Sequence, residues 1–116
     1  MKKVYYLSTC DTCKRIMSEL NLEGFEKQDI KNEAITKTQV EQMKELAGSY
    51  ASLFSKVAQK YRALGLNERV LTEEEMKNYI LEEYTFLKRP VFIIDNEIFI
   101  GNSKKNVEAL KSVIGN

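Results

Sequence analysis

Short apolar runs and helically spaced apolar residues alternate along the chain and predict its secondary structure. Residues 3–7 contain the run Val-Tyr-Tyr-Leu, which is typical of a short buried strand. From Thr12 the apolar residues recur every three to four positions, which predicts an amphipathic helix. Residues 25–30 then alternate in character, as in a weaker second strand. The first part of the chain therefore predicts the order β-α-β.

The central part of the chain predicts three helices. Thr38–Glu41 has the form of a capping box, in which a threonine and a side chain three positions later satisfy each other's backbone N–H groups. Helically spaced apolar residues predict a second helix over 51–64, and Gly65 follows it. A second capping box, Thr72–Glu75, predicts a third helix that continues to Glu83.

The period of the pattern changes again near the end of the chain. Pro90–Ile94 and residues 98–100 are apolar runs separated by Asp-Asn-Glu, which predicts a β-hairpin. Ser103 is a candidate N-cap for a last helix. The residues of this helix expected to face inward are Val107, Leu110 and Ile114.

A βαβ unit followed by a ββα unit is the thioredoxin-like arrangement, an α/β fold with a four-stranded mixed sheet. We predict a single domain over 1–116, with sheet-forming halves at 1–31 and 87–116 and a helical insertion at 32–86. In this fold Pro90 would open the third strand as a cis-proline that faces the turn after the first strand. The alternative is an ordinary trans proline at a strand start.

Composition narrows the classes of function. The chain has 116 residues, with 18 basic and 17 acidic side chains, and its net charge of +1 argues against bulk attraction to nucleic acid. No apolar run approaches the roughly 20 residues of a membrane-spanning helix. The basic start Met1–Lys3 is followed by too few apolar residues for a signal peptide, so we expect a cytoplasmic protein. Two cysteines and no histidine leave a structural zinc site two ligands short, and no metal is expected.

The two cysteines, Cys10 and Cys13, form a Cys-x-x-Cys motif where the first strand runs into the first helix. Unpaired backbone N–H groups and the positive end of the helix dipole favour a thiolate at Cys10. Cys13 is close enough to attack a mixed disulfide formed at Cys10. We therefore predict that Cys10 is the nucleophile and Cys13 the resolving thiol. Alternatively, both are small buried core residues, but the polar turn around them favours redox chemistry.

Three stretches together resemble the arsenate reductase family of the thioredoxin fold, which includes glutathione-linked arsenate reductases and Spx-type regulators. They are Tyr-Leu-Ser-Thr-Cys-Asp-Thr-Cys-Lys-Arg at 6–15, the segment 53–66, and Phe-Leu-Lys-Arg-Pro-Val-Phe-Ile at 86–93. The resemblance covers nearly the whole chain. It implies that Cys10 is the nucleophilic cysteine and that Arg89 binds an oxyanion or stabilises a thiolate.

The chain departs from the arsenate reductase pattern at two of three expected arginines. Val57 stands where the first arginine is expected, and residues 98–102, which should supply the last, contain no basic residue. Because arginine is suited to bind an oxyanion bidentately, arsenate reduction is the weaker expectation. Cys13 also departs from the single-cysteine reductases and resembles the Cys-x-x-Cys of Spx-type proteins.

Two functions follow from the resemblance. The first is a thiol–disulfide oxidoreductase that acts on an oxidised thiol or a small oxyanion, with glutathione, glutaredoxin or thioredoxin as electron donor and no bound cofactor. Thr9, Lys14 and Pro90 are the candidate binding residues beside Cys10. The charge of Lys14 favours a lower Cys10 pKa and that of Asp11 a higher one, so the sequence leaves the net shift open. The second function is a redox-switched regulator that binds the α-subunit of RNA polymerase without contacting nucleic acid directly.

Overall fold

A computed structural model describes residues 1–114, which form four strands and five α-helices. The strands are β1 (Lys2–Tyr6), β2 (Glu26–Asp29), β3 (Val91–Ile94) and β4 (Glu97–Ile100). The α-helices are α1 (Asp11–Ser18), α2 (Lys37–Ala47), α3 (Gln59–Ala63), α4 (Glu73–Glu82) and α5 (Lys104–Ile114). Two short 3-10 helices lie at Leu66–Glu68 and Tyr84–Phe86.

The chain divides into two compact units. The first comprises Met1–Ala34 and the chain from Arg89 onward, and the second comprises Ile35–Lys88. All four strands, α1 and α5 belong to the first unit, whereas α2, α3 and α4 belong to the second. The single domain over 1–116, with an insertion at 32–86, stays a prediction.

The first unit is built on a mixed four-stranded sheet with the order β2-β1-β3-β4. β1 runs parallel to β2 and antiparallel to β3, and β3 and β4 form the antiparallel hairpin. The parallel pair needs a crossover helix, and α1 supplies it. This arrangement confirms the thioredoxin-like α/β fold and the predicted β-α-β and β-β-α halves.

The core of the first unit lies between one face of the sheet and the helices α1 and α5. Its fully or nearly buried members are Val4, Ile16, Leu20, Phe92 and Leu110. Val107 and Ile114 pack against this cluster, as the spacing in the last helix predicts. The backbone N–H of Asn106 donates to the Ser103 hydroxyl over 3.1 Å, which confirms Ser103 as the cap of α5.

The second unit confirms one predicted capping box and corrects the other. Thr72 caps α4 by a reciprocal pair of bonds with Glu75, as predicted. The cap of α2, however, is Thr36 with Gln39 as its partner, and the prediction of Thr38 was wrong. The two threonines stand two positions apart and each is followed three residues later by a Gln or Glu, so the pattern alone did not separate them.

The predicted helix over 51–64 was also wrong over most of its length, because only Gln59–Ala63 is helical. Residues 53–55 instead bond to the segment 86–88. The Ser55 N–H donates to the Phe86 carbonyl over 2.7 Å, and the Lys88 N–H donates to the Leu53 carbonyl over 2.8 Å. Val57, one of the helically spaced apolar residues of the predicted helix, is 92% exposed. Within residues 1–114 no helix is both long and apolar enough to cross a membrane.

Candidate functional site

Cys10 ends the turn between β1 and α1, and Cys13 lies in the first turn of α1. The Cys10 N–H donates to the Leu7 carbonyl over 2.9 Å, which closes the turn immediately after β1. Cys10 occupies the N-cap position of α1 with extended backbone angles, and its carbonyl accepts the first helical bond from the Lys14 N–H over 3.2 Å. The Cys10 sulfur thus lies at the positive end of the helix, where backbone N–H groups have no helical acceptor.

The antiparallel register brings Arg89 and Pro90 to the same end of the sheet. Tyr5 of β1 pairs with Val91 of β3, so the residues that precede β3 lie beside those that follow β1. The Arg89–Pro90 peptide bond is cis, as predicted. Pro90 is buried, and its carbonyl accepts the Gly101 N–H over 2.9 Å. The fold thereby gathers Cys10, Cys13, Arg89 and Pro90 within the first unit.

Cys10 is half-buried and its pKa lies below the ordinary value of a free thiol. Burial by itself raises the pKa of Cys10, but the groups around the sulfur outweigh it. These are the backbone N–H and thiol of Cys13 and the guanidinium of Arg89, which acts through hydrogen bonding and charge. The positive charge that acts on Cys10 is therefore that of Arg89.

Cys13 is fully buried, and its pKa is raised to about 12. Desolvation is the largest cause that raises this pKa, and the hydrogen-bonding interaction with Cys10 and the negative charge of Cys10 raise it further. A hydrogen bond from the Leu7 backbone N–H and the charge of Arg89 lower it. Both cysteines are free thiols in this structure. The two thiols therefore differ in acidity: Cys10 loses its proton at a lower pH than Cys13, which is held protonated.

Thr9 and Lys14 lie close to Cys10 along the chain but are exposed to solvent. Thr9 forms part of the turn itself. Lys14 lines an open groove together with Met17 and Lys27. A binding role for Thr9, Lys14 and Pro90 stays a prediction.

Two contacts of the turn were missed by the sequence analysis. The Leu7 N–H faces the Cys13 sulfur, and the Ser8 N–H donates to the Asp29 carboxylate over 3.2 Å. Asp29 lies at the end of β2, 21 positions after Ser8. A polar residue at the end of a strand is common, so the sequence did not single out Asp29. Only the parallel pairing of β1 with β2 shows that Asp29 meets the turn after β1.

Within residues 1–114 no group of three or more Cys, His, Asp or Glu side chains comes close enough together to hold a metal ion.

Solved structures of other proteins share this fold over nearly their whole length. A YffB protein aligns with a TM-score of 0.78 at 18% identity, covering 95% of this chain and 98% of the other. An arsenate reductase from Vibrio cholerae aligns with a TM-score of 0.73 at 14% identity, covering 97% and 96%. An arsenate reductase (ArsC) related protein from Brucella melitensis aligns with a TM-score of 0.72 at 21% identity, covering 93% and 92%. At these identities the likeness concerns the fold.

Sequence comparisons give the family. A search of curated proteins finds no significant match. The model of the ArsC family matches residues 5–110, a range that includes both cysteines, Arg89 and Pro90. Since this match spans most of the chain, the protein belongs to the ArsC family, a family of thiol-based redox enzymes with the thioredoxin-like fold.

Proposed function

We propose that this protein is a thiol–disulfide oxidoreductase in which Cys10 is the nucleophile and Cys13 the resolving thiol. The observation that carries the proposal is the contrast between the two thiols: the pKa of Cys10 is lowered, and that of Cys13 is raised to about 12. Cys10 therefore becomes a thiolate at a lower pH than Cys13, which stays protonated beside it. A two-cysteine exchange reaction needs this pair, because the thiolate attacks the substrate first and the second thiol reacts only with the mixed disulfide that results.

In the first half of the reaction the Cys10 thiolate attacks one sulfur of a substrate disulfide. A bond forms between this sulfur and Cys10 Sγ, and the S–S bond of the substrate breaks. The other substrate sulfur leaves as a thiolate and takes a proton from solvent. Arg89 stabilises the Cys10 thiolate before the attack, because its guanidinium supplies a positive charge and N–H donors.

In the second half Cys13 becomes the nucleophile. Two of the effects that raise its pKa come from Cys10, namely the hydrogen-bonding interaction and the negative charge. Both are removed once Cys10 Sγ is bonded to substrate, whereas the charge of Arg89 remains. Cys13 then loses its proton to solvent, attacks Cys10 Sγ and releases the bound half of the substrate as a thiol.

The two cysteines give up two electrons in this cycle and end as a Cys10–Cys13 disulfide. An external thiol must return these electrons. We propose glutathione, glutaredoxin or thioredoxin as the donor, since each supplies either two thiols in sequence or a dithiol. No bound cofactor is required by this chemistry.

Oxidised thiols are the preferred substrate class over arsenate. Arg89 is the one arginine that matches the three expected of an arsenate reductase, and the first of the other two positions is held by Val57, an apolar and exposed residue. Arsenate carries one to two negative charges at neutral pH and needs several donors in a fixed geometry. A disulfide is uncharged at the reacting sulfurs and needs none of them.

The proposal is tested by trapping the mixed disulfide. The wild-type protein is expected to turn over bis(2-hydroxyethyl) disulfide with glutathione, and Cys10→Ser is expected to abolish that turnover. Cys13→Ser is expected to accumulate an adduct of one substrate half on Cys10, visible in the intact mass and released by dithiothreitol. Ser18→Ala, an exposed change on α1, is the matched control. Turnover that survives Cys10→Ser, or a Cys13→Ser variant that forms no adduct, would refute the proposal.

A redox-switched regulator that binds RNA polymerase is the second candidate. The same contrast between Cys10 and Cys13 supports it, because a sensor also needs a reactive thiol beside a resolving one. A pull-down with the C-terminal domain of the polymerase α-subunit, with and without reductant, separates the two functions. Binding that follows the redox state would support the regulator, and its absence alongside disulfide turnover would support the oxidoreductase.

A further inference from the structure

We infer that Asp29 is a positioning residue for Cys10: its carboxylate holds the turn between β1 and α1 and so fixes where the nucleophilic sulfur lies. The inference deepens the proposed function, since it rests on Cys10 being the nucleophile of that reaction. Asp29 itself lies at the carboxyl end of β2 and is half-buried.

The Asp29 carboxylate accepts hydrogen bonds from the turn after β1 and from the turn after β2. The Ser8 N–H donates to Oδ1 over 3.2 Å, and the Lys31 N–H donates to the same oxygen over 3.1 Å. The side-chain amide of Asn32 donates to Oδ2 over 2.7 Å. The Ser8 hydroxyl also interacts with the carboxylate and contributes to the lowered pKa of Asp29. One side chain thus links the turn after β1 to the turn after β2.

The position of Asp29 is itself well defined by the backbone. Its carbonyl accepts the N–H groups of Asn32 over 3.1 Å and of Glu33 over 2.8 Å, which closes a tight turn behind it. The Ile30 N–H donates to the Tyr6 carbonyl over 2.9 Å and continues the β1–β2 pairing, in which Tyr6 lies opposite Asp29. The carboxylate is therefore a well-placed acceptor to which the turn after β1 is attached through Ser8.

Ser8 directly follows Leu7, whose backbone groups contact both cysteines. Immediately before it, the Leu7 N–H bonds the Cys13 sulfur and the Leu7 carbonyl accepts the Cys10 N–H. A shift of Ser8 would move these groups and separate Cys10 from the groups that stabilise its thiolate. We therefore expect a Cys10 thiol that ionises less readily when Asp29 can no longer accept from Ser8.

The alternative, a purely electrostatic effect of Asp29, has the opposite sign. A negative charge near Cys10 disfavours the thiolate, so removal of this charge alone would make Cys10 ionise more readily. Asp29→Asn removes the charge but keeps an Oδ1 that accepts from Ser8 and Lys31. Asp29→Ala removes both the charge and the acceptor. The pair of variants therefore separates positioning from charge.

The experiment measures the alkylation rate of Cys10 by iodoacetamide as a function of pH, with the modified cysteine identified by peptide mass spectrometry. Asp29→Ala is expected to move the titration of Cys10 to higher pH and to slow alkylation at neutral pH by about three- to tenfold, because fewer molecules carry the thiolate. The alkylation rate of Asp29→Asn is expected to stay within about twofold of the wild-type rate, because loss of the charge alone displaces the Cys10 pKa only modestly. Glu19→Ala is the matched control, because it removes a carboxylate of the same unit that bonds Lys111 and Arg15 instead of the turn.

An unchanged titration in a folded Asp29→Ala protein would overturn the inference, and so would an Asp29→Asn variant that slows as much as Asp29→Ala. If Asp29→Ala does not fold, Asn32→Ala decides, because it removes only the 2.7 Å bond that orients the carboxylate. That variant is expected to shift the titration in the same direction by a smaller amount, and no shift would again overturn the inference. Alkylation needs no substrate, so absence of disulfide turnover in the wild type would refute the proposed function and leave this test interpretable.

Discussion

The thiols of Cys10 and Cys13, three positions apart, have pKa values shifted in opposite directions by their burial and by the groups around them. Cys10 is half-buried beside donors, whereas Cys13 is fully buried beside the Cys10 sulfur. Desolvation acts on both, so the donors decide the outcome at Cys10. From the sequence, both Lys14 and Arg89 were candidates to stabilise the Cys10 thiolate by a positive charge. The structure assigns it to Arg89, which is 79 positions further along the chain than Cys10.

Substitution of Arg89 is therefore expected to matter more than substitution of Lys14. Arg89→Gln should raise the pKa of Cys10 and slow its alkylation at neutral pH by about tenfold, since a lost charge and donor bond are worth about one pKa unit. Lys14→Gln, with its side chain in the open groove, should change the rate by less than about twofold, as an exposed charge screened by water does. Equal effects of the two substitutions would contradict the role of Arg89. The measurement is the pH dependence of Cys10 alkylation in both variants.

The cysteines could be selected from the sequence because their chemistry depends on local spacing and on a helix start. The roles of Asp29 and of the Leu7 N–H could not be predicted from the sequence. Their contacts with the turn depend on the pairing of β1 with β2 and on the depth at which Cys13 is buried. Neither is encoded in the residues adjacent to the motif.

At the scale of elements, the helix caps were predicted with mixed success. The motif at Thr72 had one interpretation and was confirmed, whereas α2 offered two threonines and the wrong one was chosen. The segment 51–58 had helical spacing but pairs with the chain around Leu87 instead, since Phe54 and Leu87 form an isolated β-bridge. Local spacing does not reveal a partner that lies more than 30 residues away.

The corrected cap of α2 is tested by a pair of threonine substitutions. Thr36→Ala should lower the free energy of unfolding by about 1 kcal/mol, because it removes the acceptor of the Gln39 N–H. Thr38→Ala, in the first turn of the helix and exposed, should change it by less than about 0.5 kcal/mol, as most surface changes do. Urea denaturation of both variants measures the difference. A larger loss in Thr38→Ala would restore the original assignment.

The burial of Tyr5 in β1 predicts a loss of folding stability at alkaline pH. Tyr5 is 1% exposed, and its pKa is raised to about 12 from 10.0 by burial and by the charge of Glu26. The unfolded phenol ionises near pH 10 and the folded one near pH 12. The stabilising contribution is therefore complete below pH 10 and is lost as the pH rises to 12, by about 2–3 kcal/mol for a difference of this size.

Tyr5→Phe should remove that part of the pH dependence, because phenylalanine has no group to ionise. The free energy of unfolding should fall less between pH 10 and 12 in Tyr5→Phe than in the wild type. Cys13, whose raised pKa acts in the same pH range, is present in both proteins and cancels in the comparison. Tyr6→Phe, on the opposite side of the strand, is the control. Parallel stability curves for the wild type and Tyr5→Phe would contradict this account of Tyr5.

At the scale of the whole molecule, the order of elements was predictable and led to the correct fold. The change from helical to alternating periodicity near Pro90 marked the second half of the sheet, and the cis peptide bond lies where the fold requires it. Residues 115–116 lie outside the described part of the chain. The order of elements does not predict the substrate, because the substrate depends on which charged groups meet at the site.

The arginine pattern predicts substrate selectivity. With Arg89 as the one matching arginine, the protein should reduce arsenate at least about tenfold more slowly than a small disulfide under the same glutathione and glutaredoxin conditions, since each missing charge-assisted contact costs more than 1 kcal/mol. The measurement compares the two initial rates side by side, with Cys10→Ser as the blank. Arsenate turnover that equals disulfide turnover and depends on Cys10 would contradict the prediction.

The ionisation of Cys10 tests the central claim most directly. The pKa of this thiol should be titrated by thiolate absorbance and by alkylation, in the wild type and in a Cys13→Ser background. The wild type is expected to titrate clearly below the roughly 8.5 of a free thiol, with one thiolate formed well before the second. A Cys10 that titrates at or above that value, or two cysteines that ionise together, would contradict the account.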